Sequence, residues 1–131
     1  MIEGGCLCGA VRYRLSGVPS SSVVCHCESC RRASGAAAMA WITVGLAQFQ
    51  VLSGEPAIYH SSPHVTRQFC GRCGTGLSYA TSHSPDTIDI TTASLDDPSI
   101  FPPAAEVWLA DKVAWQPTSA ETSKFPGSSS G

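Results

Sequence analysis

The sequence predicts a small, mostly β fold built from short strands. Apolar and polar residues alternate in several segments, and Gly, Pro and Ser separate those segments from one another. The chain has 131 residues, which is the usual size of a single domain. We therefore expect one domain over 1–125, with at most one or two short helices, and a disordered Ser/Gly tail over 126–131.

Alternation at every second position defines the strands. In the first, over 11–15, Val11, Tyr13 and Leu15 alternate with two arginines, as in a half-buried strand. Alternation also predicts strands at 65–69 and around Ile88 and Ile90. Further candidate strands, separated by Ser, Gly and Pro residues, are 38–44, 49–52, 57–60, 77–80 and 107–109. A single helix is predicted over 28–37, and Gly35 weakens its end.

Composition excludes some classes of partner. The formal net charge is -2 and 14% of the residues are charged, so we expect no nucleic-acid partner. No apolar run is long enough to span a bilayer, and the first residues have no secretion-signal pattern, so we expect a cytoplasmic protein without a membrane partner. An odd number of cysteines in such a protein favours metal binding over disulfides.

All seven cysteines occur at the short spacings of metal ligands: Cys6 and Cys8, then Cys25, Cys27 and Cys30, then Cys70 and Cys73. A structural zinc takes four protein ligands, whereas a catalytic zinc takes three and leaves one position open. The count therefore predicts two zinc ions per chain. We favour grouping the first and last pairs around one ion and the middle three around the other. The alternative, in which Cys6, Cys8, Cys25 and Cys27 share an ion, would divide Cys27 and Cys30 between two sites.

Other polar residues near the middle cysteines are weaker candidates. Arg31 and Arg32 either offset the charge of three thiolates or form a fork for a carboxylate of the ligand. Glu28 either acts as a base or caps the helix. His26 lies between two cysteines, so we expect its ring to point away from the metal, toward outward hydrogen bonding or substrate contact. His60, His64 and His83 are expected at the surface.

Three segments together resemble a known family. They are 4–13 (GGCLCGAVRY), 25–32 (CHCESCRR) and 69–77 (FCGRCGTGL), and the resemblance continues through 106–108 (EVW) and 113–116 (VAWQ). In this order they resemble the glutathione-dependent formaldehyde-activating enzyme family, whose domain is shared with centromere protein V. The resemblance implies a β-tent type zinc-binding fold of mostly antiparallel strands.

The resemblance also implies roles for the cysteines and a reaction. Cys6, Cys8, Cys70 and Cys73 match ligands of a structural zinc, and Cys25, Cys27 and Cys30 match those of a catalytic zinc. The implied enzyme is a carbon-sulfur lyase that resembles S-(hydroxymethyl)glutathione synthase and adds a zinc-bound small thiol, glutathione or similar, to an aldehyde such as formaldehyde. The alternatives are a non-catalytic zinc-binding module or thiol carrier, and a redox-responsive thiol cluster.

Overall fold

Short strands in two sheets make up most of the chain in the computed structural model, which describes residues 1–129. The α-helix α1 (Glu28–Ser34) is accompanied by four single 3-10 turns. The predicted mostly β class is confirmed. In chain order the strands are β1 (Ile2–Gly5), β2 (Arg12–Leu15), β3 (Ser21–Cys25), β4 (Met39–Gly45), β5 (Phe49–Ser53), β6 (Ala57–Ser62), β7 (Val65–Phe69), β8 (Gly76–Thr81), β9 (Thr87–Thr91), β10 (Ala105–Val107) and β11 (Ser123–Lys124).

The smaller sheet has the strand order β1-β2-β5 and the larger one the order β11-β10-β3-β4-β9-β8-β7-β6. Neighbouring strands are antiparallel, except that β10 pairs parallel with both β3 and β11. In the register of β10 with β3, Val107 lies opposite Cys25. This parallel pairing brings the C-terminal part of the chain beside the middle cysteines, although they are far apart in sequence.

The main core is formed by apolar side chains from both sheets. Tyr13 and Leu15 of β2 pack with Ile42 of β4 and Ile90 of β9, and all four are almost completely buried. The predicted alternation in β2 is correct, because Arg12 and Arg14 remain partly exposed between these residues. A second, smaller cluster contains Cys25, Cys30, Trp41 and Val107, so apolar groups also surround the middle cysteines.

Several element boundaries differ from the predictions. Strands β1, β3 and β11 were not predicted, because Gly and Ser residues obscure the alternation in the first two and the last has two residues. The predicted strand at 107–109 is wrong beyond Val107: Trp108 has a left-handed backbone (φ 58°) and Leu109 begins a 3-10 turn. The helix ends at Ser34 rather than at residue 37, since Gly35 adopts φ 74° and its N–H bonds the carbonyl of Arg31.

The last described residues contact the domain. The carbonyls of Pro126 and Gly127 accept hydrogen bonds from the backbone N–H groups of Ala110 and Trp108, at 3.2 and 2.9 Å. Residues 130–131 of the predicted disordered tail lie outside the described residues. Within 1–129, no helix has the length and apolar character needed to cross a membrane.

Candidate functional site

The first and last cysteine pairs meet at one point. Cys6 and Cys8 lie in the connection between β1 and β2, and Cys70 and Cys73 lie in the turn between β7 and β8. Their four Sγ atoms, the tetrad, all lie within 4.8 Å of one another. The Sγ of Cys8 is 3.6 Å from that of Cys6 and 3.8 Å from that of Cys70. Zinc–sulfur bonds of about 2.3 Å in a tetrahedron place the sulfurs about 3.8 Å apart, so this tetrad fits zinc.

Backbone and hydroxyl groups form hydrogen bonds with two of these sulfurs and favour the thiolate form, which binds cations. The N–H of Val11 donates to the Sγ of Cys6 at 3.3 Å, and the Oγ1 of Thr75 lies 3.3 Å from the Sγ of Cys73. Hydrogen bonding from Thr75 lowers the pKa of Cys73 to about 5. Gly74 adopts a left-handed conformation (φ 82°) that closes the turn after Cys73. The low pKa therefore favours the thiolate form of Cys73, which is the form that binds zinc.

The middle three cysteines form a second cluster, the trio, at the junction of β3 and α1. The Sγ atoms of Cys25, Cys27 and Cys30 also lie within 4.8 Å of one another. Cys27 is the N-cap of α1, and its sulfur accepts a hydrogen bond from the N–H of Cys30 at 3.3 Å. Within 1–129, no fourth Cys, His, Asp or Glu joins the group. The donor set fits a zinc ion with three protein ligands.

The three trio thiols differ in acidity, with Cys27 the most acidic. Hydrogen bonds from Cys25 and then Cys30 lower the pKa of Cys27 far below its ordinary value. The bond to Cys27 is the main cause of the raised pKa of Cys25. Cys25 lowers the pKa of Cys30, but Cys27 and burial outweigh this effect and the pKa of Cys30 is raised.

Zinc binding at the trio is therefore expected to release about two protons. Because the pKa values of Cys25 and Cys30 are raised, both are protonated near neutral pH and must lose a proton to become ligands. The affinity should then rise with pH, by as much as roughly a hundredfold per unit. Competition with a chromophoric chelator at pH 6 to 8, on protein whose tetrad is already loaded, measures this slope. A flat profile would show that Cys25 and Cys30 are not both protonated in the metal-free trio.

His26 is not grouped with the trio sulfurs, as expected, but its hydrogen bond is made in the interior, so the expected outward direction is wrong. The side chain is 0% exposed, and its Nε2 lies 2.9 Å from the Oε1 of Glu106. The other carboxylate oxygen of Glu106 accepts hydrogen bonds from the backbone N–H of Ser119 at 2.9 Å and the Oγ1 of Thr122 at 2.6 Å. Burial raises the pKa of Glu106, but bonds from Thr122, His26 and Ser119 lower it by more. This network fixes the loop between Cys25 and Cys27 to the C-terminal segment.

Glu106→Ala is expected to destabilise the protein by about 3 kcal/mol, because it leaves His26 buried without its partner and removes the acceptor for Ser119 and Thr122. The exposed Glu121 provides the matched control, and Glu121→Ala should change stability by less than about 0.5 kcal/mol. Urea unfolding of the zinc-loaded proteins measures both values. Equal midpoints and slopes for the two variants would refute a structural role for the Glu106 network.

The other predicted candidates lie on the helix surface. The guanidinium groups of Arg31 and Arg32 face Glu28 at 3.9 and 3.6 Å, and the side chain of Arg32 is 72% exposed. Cys27, rather than Glu28, caps the helix. Arg32 borders a large cavity beside α1, whereas Arg31 borders only a smaller one. A ligand-binding role for the two arginines stays a prediction.

A cavity of about 1220 Å³ opens beside the trio and extends toward the tetrad. Cys30 contributes to its lining, together with Met39, Trp41 and Arg67. Neither Trp41 nor Arg67 was identified from the sequence as a site residue. The available signal was weak: Arg67 is a basic residue within an alternating strand that ends at Cys70, which is equally typical of a solvent-exposed position.

Comparisons with known proteins agree with one another. The family model described as glutathione-dependent formaldehyde-activating enzyme matches residues 1–111. A Halomonas elongata protein provisionally named a glutathione-dependent formaldehyde-activating enzyme is 30% identical over 125 residues, covering 88% of this chain and 79% of that protein. A crystal structure of a Rhodobacter sphaeroides protein has the same fold, with a TM-score of 0.63 and 20% identity over 94% of this chain and 98% of that one.

Proposed function

Because the chain belongs to the glutathione-dependent formaldehyde-activating enzyme family, we propose that it adds a small thiol, glutathione or a similar compound, to formaldehyde or a related aldehyde. The observation that carries this proposal is the trio of cysteines without a fourth protein ligand among residues 1–129, beside a cavity large enough for a tripeptide. In the direction of cleavage the same reaction is that of a carbon-sulfur lyase.

Cys25, Cys27 and Cys30 would hold a zinc ion that keeps a bound thiol in its thiolate form near neutral pH. The substrate sulfur attacks the aldehyde carbon, a carbon–sulfur bond forms, and the thiol proton is recovered on the former carbonyl oxygen. The single product contains every atom of the two reactants, so no oxidant or reductant is needed.

The protein's own residues position this chemistry. The N–H of Cys30 donates to the sulfur of Cys27 and fixes it at the start of α1. Glu106 holds His26, the residue between Cys25 and Cys27, in place. Met39 and Trp41 give the cavity an apolar wall beside Cys30. The tetrad lies apart from this loop and would hold a second, structural zinc, which makes two ions per chain.

None of the seven cysteines is in a disulfide, which suits a reducing compartment such as the cytoplasm. A thiol-adding enzyme also depends on such a compartment, because there its substrate stays reduced.

Exchange NMR with ¹³C-formaldehyde and glutathione tests the proposal, because the uncatalysed addition sets a measurable baseline. We expect the rate of S-(hydroxymethyl)glutathione formation to rise in proportion to the concentration of zinc-loaded protein. Isothermal titration with glutathione should show one site per chain. No binding at millimolar glutathione and no acceleration would support the alternative, a non-catalytic zinc-binding module. Metal analysis of the same sample should give two zinc ions per chain.

A further inference from the structure

Arg67 presents a positive charge beside the trio without a carboxylate partner among the described residues. It lies on β7, its guanidinium carbon is 5.0 Å from the centre of the Tyr79 ring, and its Nε donates to the Oγ of Ser61 at 3.4 Å. Arg12 borders the same cavity but is already paired with Asp96, at 2.9 and 2.6 Å. Arg67 thus retains donors for an incoming ligand.

Trp41 borders the same cavity and carries a donor left unpaired by the rest of the described structure. Its side chain is 7% exposed and borders the cavity, and its Nε1 is buried without a hydrogen-bond acceptor within residues 1–129. Its ring meets that of Tyr79 edge to face, with centroids 6.1 Å apart. Tyr79 therefore contacts both residues, with Arg67 over its ring and Trp41 against it edge to face. A buried indole N–H without an acceptor is unfavourable, and a ligand oxygen would satisfy it.

Among the Arg, Lys, Asp and Glu side chains that line the cavity, the cationic ones are in excess. Its lining within the described chain contains Arg12, Arg32 and Arg67 but a single acidic residue, Asp96, which Arg12 neutralises. A planar guanidinium supported by an aromatic ring is the arrangement that proteins use to bind a carboxylate through two parallel hydrogen bonds. Cys30 and Arg67 border one cavity, so a molecule that carries both a thiol and a carboxylate can be held by both residues.

We propose that Arg67, assisted by the indole N–H of Trp41, binds a carboxylate of the thiol substrate, so that the site selects thiol acids over neutral thiols. This inference rests on the proposed function and identifies Arg67 as the residue that determines substrate class. It also gives Trp41 a polar role in addition to its packing.

Two thiols of similar size test the selectivity: 3-mercaptopropionate carries a carboxylate and 2-mercaptoethanol does not. By isothermal titration, Arg67→Gln should weaken the binding of 3-mercaptopropionate by about tenfold or more and that of 2-mercaptoethanol by less than about twofold. Arg67→Lys, which keeps the charge but loses the fork, should be intermediate, and Trp41→Phe should weaken only the acid, by about threefold. The matched control is Arg14→Gln, because Arg14 pairs with Glu3 outside the cavity.

Equal weakening of both thiols by Arg67→Gln, or no weakening of either, would overturn the inference. S-methylglutathione separates its failure from failure of the proposed function, because this probe keeps the carboxylates and has no free thiol. We expect it to bind the original protein and to bind Arg67→Gln about tenfold more weakly. If it binds both equally or binds neither, the carboxylate site is wrong even if thiols add to formaldehyde. If it behaves as expected while no thiol binds, the proposed function fails and the carboxylate site stands.

Discussion

Cys73→Ser is expected to leave no stably folded protein. The tetrad joins the connection before β2 to the turn between β7 and β8, so a metal held there would link both sheets. Structural zinc supplies on the order of 10 kcal/mol of apparent binding free energy, which exceeds the net stability of many small domains. The loss of one thiolate ligand should remove much of that contribution. Far-ultraviolet circular dichroism and the soluble yield with zinc in the growth medium measure the outcome.

Cys73→His gives the matched control, since imidazole is also a good zinc ligand. We expect it to recover part of the soluble yield that Cys73→Ser loses. Removal of zinc from the original protein with a strong chelator should unfold it in the same way, and added zinc should restore it. A Cys73→Ser protein with the original melting temperature would show that the tetrad is not a structural site.

Cys30→Ser is expected to abolish thiol addition while the protein stays folded. Cys30 is one of three sulfurs in the trio, and the core between the two sheets does not depend on it. The loss of one ligand should lower zinc occupancy at the trio and reduce the catalysed rate by at least about a hundredfold. Exchange NMR measures the rate. Metal analysis should show that the zinc content falls from two ions per chain to one.

Ser29→Ala, beside Cys30 in the helix, is the matched control for Cys30→Ser. It keeps all three sulfurs, so its rate should stay within about threefold of the original. A Cys30→Ser protein that unfolds as completely as Cys73→Ser would remove the distinction between a structural and a reactive site. The two cysteine variants together therefore test the division of labour between tetrad and trio.

The predicted ligand grouping depended on cysteine spacing and the count of seven, and both clusters assemble in that grouping. This was possible because three sulfurs within six residues can hardly serve two ions. The strand alternation was equally informative at β2, where Tyr13 and Leu15 are buried. Both kinds of signal are local, and local patterns survive in the folded chain.

Long-range contacts were not predictable in the same way. The position of His26 depends on Glu106, which is 80 residues away and reaches it through the parallel pairing of β10 with β3. No residue near His26 indicates that pairing. Arg67 and Trp41 likewise lie on different strands, and only the order of strands in the larger sheet brings them to one cavity. Their role could not be inferred from spacing.

The attachment of β10 beside Cys25 also has a consequence for biosynthesis. A ribosome makes the trio long before it makes Glu106, so on the nascent chain the Cys25–Cys30 loop lacks the carboxylate that later holds His26. At that stage three closely spaced thiols are open to oxidation or to capture of another metal. The Cys25–Cys30 loop can reach its final position only after the segment that contains Glu106 has been made and has paired with β3.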